Sequence, residues 1–116
     1  MSEEAKSTTK QCEELYPETT SEFKKILKEQ YDLFCRKQLN YGPDNISVGT
    51  RCEKPEEIKL SQTGLWFRMN DKIQRLKQLV LLGHDDTVGE SIQDSYQDLS
   101  VYGIIAQIVS RGKWGK

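Results

Sequence analysis

The feature that most constrains this chain is the spacing of its apolar residues, which follows a helical period and nowhere sustains the alternation of a strand. In residues 64–79, GLWFRMNDKIQRLKQL, the side chains Leu65, Met69, Ile73, Leu76 and Leu79 recur at three- and four-residue intervals, with Val80 just after. A second stripe runs through Phe23, Ile26, Leu27, Tyr31 and Phe34, and Thr19 with Glu22 has the spacing of a capping box before it. It stops at Gly42 and Pro43, a left-handed helix end followed by a residue that cannot continue the helix. A third stripe, Ile92, Tyr96, Leu99, Gly103 and Ala106, is joined later by Ile105, Ile108 and Val109, and Thr87 with Glu90 offers it a capping box. Gly103 and Ala106 are small enough to let another helix approach closely.

Three long helices without a convincing sheet predict an all-α bundle. The expected divisions are a mobile arm over 1–18, a helical domain over 19–110 and a basic, frayed tail over 111–116. Helix one is followed by a long irregular loop over 43–62, which has no sustained period. A short strand at 46–48 or a helical turn near Glu56 is possible within it, and a connection of this length is often functional. Helix two is expected from about 63 to 82, closing at Gly83. Three helices make a thin core. Trp66, Phe67, Val101, Tyr102, Ile104 and Ile105 widen the apolar faces beyond one stripe, so completion of the bundle as a homo-oligomer, a dimer or tetramer, is expected.

Composition narrows the partners. Of 116 residues, 35% are hydrophobic and 30% charged, with a formal net charge of −1, so no global field pulls the chain toward nucleic acid or anionic membrane. Direct nucleic-acid binding and a membrane role are not expected. Three cysteines, Cys12, Cys35 and Cys52, are an odd number at unrelated spacings without a C-x-x-C pair. With no apolar signal segment in the first ten residues, the expectation is a reduced, cytoplasmic protein.

Any anion site must then come from local clustering. Arg68, Asp71, Lys72 and Arg75 share the polar face of helix two, and Glu90, Asp94 and Asp98 follow one another at four-residue intervals on helix three. A helix N-terminus explains Glu90, explains Asp94 less well, and leaves Asp98 unexplained. Like charges four apart repel, and Asp is a poor helix former, so a compensator is required. One candidate is an internal ladder in which Arg68, Lys72 and Arg75 pair across the bundle with the three acids, of small net value. The other is a divalent cation, with Asp71, Glu90, Asp94 and Asp98 holding Mg²⁺ while the basic residues meet a substrate's phosphates.

The remaining candidates are thinner. His84 is the single histidine and sits in a polar link with no cysteine nearby. Cys35 adjoins Phe34 and reads as packing, and Cys52 has no visible base. Tyr41 and Asn45 flank a helix stop and turn, and are also placed to line a pocket for a base or sugar. Trp114 reads as packing of a tail.

The ordered segments NYGPDN (residues 40–45), TGLWFRMNDKIQRL (63–76) and ESIQDSYQDLSVYGIIA (90–106) resemble the nucleotide modification-associated domain family, type 1, small domains of bacteriophages and bacteria. The likeness covers about residues 22–109. Its signature falls on Tyr41, Gly42, Arg68, Asp71, Lys72, Arg75, Glu90, Asp94, Asp98 and Tyr102, and implies a role near nucleotide metabolism or DNA modification. Helix three also looks like the second half of the metal motif in all-α, MazG-like nucleoside triphosphate pyrophosphohydrolases. Their first half, Glu-Glu-x-x-Glu, is absent here, where helix two has only Asp71 among basic residues. The resemblance implies a nucleotide or nucleotide-derived ligand; Arg68, Lys72 and Arg75 are its expected phosphate contacts, and Tyr41 and Asn45, read from the turn, its expected base or sugar contacts. Mg²⁺-dependent hydrolysis of a phosphoanhydride, with the metal activating water, is the enzymatic form of that expectation. The alternatives are sequestration of a nucleotide immune signal without turnover, and a protein-interaction module built on a salt-bridge ladder.

Overall fold

The computed structural model describes residues 3–116, and side chains from residue 7 onward. It is all-α. The helices are α1 (Glu3–Leu15), α2 (Pro17–Tyr41), α3 (Asp44–Ser47), α4 (Pro55–Leu76) and α5 (Ile92–Ser110), and a wider π turn, Lys77–Leu81, prolongs α4. There is no strand among the described residues, and the helices number five rather than three. No helix of the described residues is long and apolar enough to cross a membrane. The chain divides into two compact units, residues 1–36 and 37–116, and α2 crosses the division.

The first unit is almost continuous helix. Residues expected as an arm form the 13-residue α1. The Tyr16 N–H donates to the Cys12 carbonyl at 2.8 Å and the Thr20 N–H to the Tyr16 carbonyl at 3.0 Å, so helical bonding runs through the junction. Pro17 supplies no N–H and opens the second helix, the position where its ring is tolerated. The Thr19–Glu22 capping box does not form, because α2 already begins at Pro17 and Thr19 lies within its first turn. Lys24 and Glu13 pair at 2.5 Å. No residue of α2 is buried, and none of the described side chains of α1 is.

The second unit holds the core. Helices α4 and α5 run antiparallel: Gln62 reaches Ala106 and Ser110, and Lys72 reaches Asp98, so rising numbers on one meet falling numbers on the other. Leu65, Ile105 and Val109 are buried with Ile46, Cys52 and Trp114, and Ser61 and Ser95 are the small buried side chains of α4 and α5. Gly103 is not the close-approach point expected of it, since a Cβ built there would meet nothing within 4 Å.

Three expected elements differ, two of them for a local reason that the hydrogen bonds show. Helix α4 begins at Pro55, because Glu57 accepts the Glu53 and Lys54 N–H groups at 3.1 Å each and so starts the helix within the expected loop. Residues 44–47 are a short helix rather than a strand. Helix α5 begins at Ile92, not near Val88, because Gly89 takes φ +82° and the working cap is Ser91. Ser91 Oγ accepts the Asp94 N–H at 3.1 Å and Asp94 Oδ2 accepts the Ser91 N–H at 3.3 Å.

The tail is fastened rather than frayed. Trp114 is 3% exposed and its Nε1 donates to the Pro43 carbonyl at 3.0 Å. Lys116 donates to the Arg51 carbonyl at 3.0 Å and pairs with Glu53 at 2.7 Å. Thr50 ties the loop between them, donating to the Ser47 carbonyl at 2.9 Å and accepting the Cys52 N–H at 3.1 Å. The two ties hold Val48 (φ 54°) and Cys52 (φ 56°) in the left-handed region, a conformation that costs a non-glycine residue on the order of 1 kcal/mol or more.

Candidate functional site: a charged ladder between α4 and α5

Helix α4 places Arg68, Lys72 and Arg75 on one face through their spacing of four and three. Each rung meets a different kind of partner. Arg68 donates from Nη2 to the Asn45 carbonyl at 2.6 Å, joining α4 to the turn that follows Tyr41. Tyr41 itself is 66% exposed. No carboxylate pairs with Arg68 among the described residues.

Lys72 pairs with Asp98 at 3.1 Å, both side chains about one-quarter exposed. The hydrogen bond from the ammonium to Asp98, reinforced by that carboxylate's charge, holds the Lys72 pKa above its ordinary value of 10.5, against a smaller opposing effect of burial.

Arg75 is the most heavily engaged group of the set, its side chain 16% exposed. Its guanidinium donates to Ser95 Oγ at 3.0 Å, to the Ser91 carbonyl at 3.2 Å and to the Glu90 carbonyl, and it pairs with Asp86 at 3.4 Å and Glu90 at 3.8 Å. The acceptors lie at and before the start of α5. Arg75 thus links α4 to that start and to the segment preceding it, with the planar donor fork engaging several oxygens at once.

The acids divide accordingly. Asp98 pairs with Lys72 and Glu90 with Arg75, while Asp94 closes the cap of α5. Asp71 is exposed and makes no ion pair among the described residues. Among the described residues no group of three or more His, Cys, Asp or Glu side chains is arranged to hold a metal ion. The donor set as placed therefore fits a ladder and does not fit Mg²⁺.

Sequence reasoning missed three members of this arrangement: Asp86, Ser91 and Ser95. Ser91-x-x-Asp94 has the spacing of a capping box and was legible as one, although the box is commonly sought with Glu or Gln at its fourth position. Ser95, 2% exposed, gave no sequence signal, because a serine beside three periodic acids reads as one more polar surface residue.

No family model matches the chain, and no curated protein or solved structure matches it.

Proposed function

We propose that the protein is a helical protein-interaction module whose charged face is an internal ladder. One observation carries this reading: Arg75, the basic group with the most contacts, is nearly enclosed and spends its donors on five oxygen partners within its own chain. Lys72 is likewise committed to Asp98. What remains free is apolar surface, including Trp66 and Phe67, each 58% exposed and set edge-to-face at 5.3 Å on α4. Exposed apolar groups of this size are what a docking partner covers.

A calorimetric titration of the purified protein with nucleoside triphosphates and cyclic nucleotides, with and without Mg²⁺, tests this directly. No heat is expected. Arg75→Ala is expected to lower stability by about 2–3 kcal/mol, since it removes charge-assisted bonds and leaves the buried Ser95 hydroxyl short of a partner. Ligand heat that disappears in Arg75→Ala while the fold persists would overturn the ladder reading.

A second reading has its own observation. Arg68 has one backbone bond and, among the described residues, no carboxylate partner; it reaches the turn that carries Asn45 and follows Tyr41, and Arg68 and Tyr41 both belong to the signature that resembles the nucleotide modification-associated domain. In this reading the Arg68 guanidinium meets a nucleotide's phosphate, and Tyr41 and Asn45 contact base or sugar. Turnover through Mg²⁺ would require Asp94, Asp98 and Glu90 to leave their present partners, so binding is the form it takes. The same titration decides it: heat lost in Arg68→Ala, with the ligand recovered intact, is the expected signature.

A further inference from the structure

The segment over 43–53, which contains α3, and the tail over 113–116 grip each other at one end of the α4–α5 pair. Trp114 Nε1 donates to the Pro43 carbonyl at 3.0 Å, and Lys116 Nζ donates to the Arg51 carbonyl at 3.0 Å and to Glu53 at 2.7 Å. The tail backbone runs against the Pro43 ring, since a Cβ built on Gly115 would meet the Pro43 Cβ at 3.1 Å. Of the buried side chains among the described residues, Ile46, Ser47, Cys52 and Trp114 belong to these two segments, and Ser61, Leu65, Ser95, Ile105 and Val109 to α4 and α5.

The two long helices are held together without that grip. Gln62 reaches Ala106 and Ser110, Lys72 pairs with Asp98, and Arg75 bonds Ser95 at the opposite end of the pair. The 43–53 segment, in contrast, carries a cost of its own. Val48 and Cys52 both stand in the left-handed region, at φ 54° and 56°, which is unfavourable for residues with a Cβ. It meets α4 through the Arg68 bond to the Asn45 carbonyl at 2.6 Å and through the Cys52 thiol, which donates to Ser61 Oγ at 3.4 Å. A segment whose backbone opposes its closed form, and which a short tail holds down, belongs to the low-stability end of a fold.

We propose that residues 113–116 are a strap, and that the strap and the 43–53 segment open together as one unit while α4 and α5 stay paired. Cys52, 0% exposed in the closed form, is reached by solvent in the open one. Release of Trp114 and Lys116 removes the bonds that offset the two left-handed residues, so the segment relaxes away from Ser61 and uncovers the thiol. This device goes beyond the interaction-module reading and does not rest on it, because nucleotide heat in the titration leaves the labelling of Cys52 unchanged.

The test is the labelling rate of Cys52 by dithiobisnitrobenzoate in the full chain carrying Cys12→Ser and Cys35→Ser, two positions outside residues 37–116. When reclosing outpaces labelling, the rate follows the population of the open form. The expected rate changes little up to about 1 M urea, because a local opening exposes little surface. Trp114→Phe keeps a ring but loses the donor to Pro43, and is expected to speed labelling about fivefold, with Lys116→Met smaller at about threefold. Arg75→Ala weakens the far end of the helix pair and is expected to leave the rate unchanged. A rate that rises with urea as steeply as global unfolding does, or that rises more in Arg75→Ala than in Trp114→Phe, would overturn the proposal. A rate indifferent to both Trp114→Phe and Lys116→Met would overturn it as well.

Discussion

Helices α2 and α4 are of similar length, 25 and 22 residues, and both carry an apolar stripe, yet α2 buries none of its residues and α4 anchors the core through Leu65 and Ser61. The difference lies in what their polar residues do. On α4, Gln62, Lys72 and Arg75 reach another helix or the segment leading into it, and each contact fixes register as well as proximity. On α2, Lys28 is satisfied by Asp32 one turn away and Thr20 by the Tyr16 carbonyl, while Lys24 reaches back to Glu13 of α1. Apolar periodicity makes a helix amphipathic, but long-range polar contacts choose its neighbour.

The largest expected contrast is in amide hydrogen exchange. At low micromolar concentration the amides of α1 and of α2 up to Arg36 are expected to exchange with little protection. Those around Leu65, Ile105 and Val109 should exchange at the rate of global unfolding, slower by at least about a hundredfold. Protection of α2 equal to that of α4 at the lowest concentration would break it.

Substitutions should follow the same division. Trp114→Ala removes a buried ring and its bond to Pro43, and is expected to cost about 3–5 kcal/mol in urea unfolding. Leu27→Ala, measured where the chain is monomeric, should stay within about 0.5 kcal/mol, as for a surface position.

That asymmetry also marks where the sequence was legible. The three long periodic segments are helical, and the all-α class follows from them. The turn at Gly42 and the stop at Gly83 follow as well, because each needs a left-handed residue and each has a glycine at φ +69°. The pairing of α4 basic residues with the acids at 90, 94 and 98 was open to a spacing argument, and Lys72–Asp98 on α5 and Arg75–Glu90 just before it are instances of it. The start of α4 was not legible, since Pro55-Glu56-Glu57 looks equally like a loop until Glu57 is seen accepting two backbone N–H groups. The anchoring of Trp114 was not legible either, because its partner Pro43 is 71 residues away and no local pattern encodes it. Position along a helix explains Asp94. With α5 beginning at Ile92, Asp94 sits in the first turn, where acids belong, rather than partway along.

Ser91→Ala tests that last point at a smaller scale. It deletes the side-chain half of the cap and is expected to cost about 1 kcal/mol. Because Arg75 is held by the Ser91 carbonyl and not its hydroxyl, the ladder should survive. A loss well above 2 kcal/mol would mean that the cap and the ladder act as one unit.

The smallest effects separate two lysines that titrate alike but sit differently. Both Lys72 and Lys28 have pKa values raised above 10.5, first by a hydrogen bond to an aspartate, Asp98 and Asp32 respectively. A raised folded value means that each pair's contribution is fully present below about pH 10.5 and is lost as pH rises through the folded pKa. Lys72 spans two helices and is only about one-quarter exposed, so its pair contributes on the order of 0.5 kcal/mol. Lys28 is exposed and bonded one turn along its own helix, so it contributes to no tertiary contact. Thermal melts from pH 8 to 11 should therefore show Lys72→Met flattening part of the alkaline loss of stability and Lys28→Met leaving it unchanged. The acid side has a parallel in Glu57, held below 4.5 first by the Lys54 N–H and then by that of Glu53. Its contribution is present above about pH 4.5 and is lost as pH falls through the lowered folded pKa, so Glu57→Gln should flatten the acid limb. If Lys28→Met moved the alkaline limb as far as Lys72→Met, α2 would be contributing to the folded unit within its own chain, and the division between the two helices would fail.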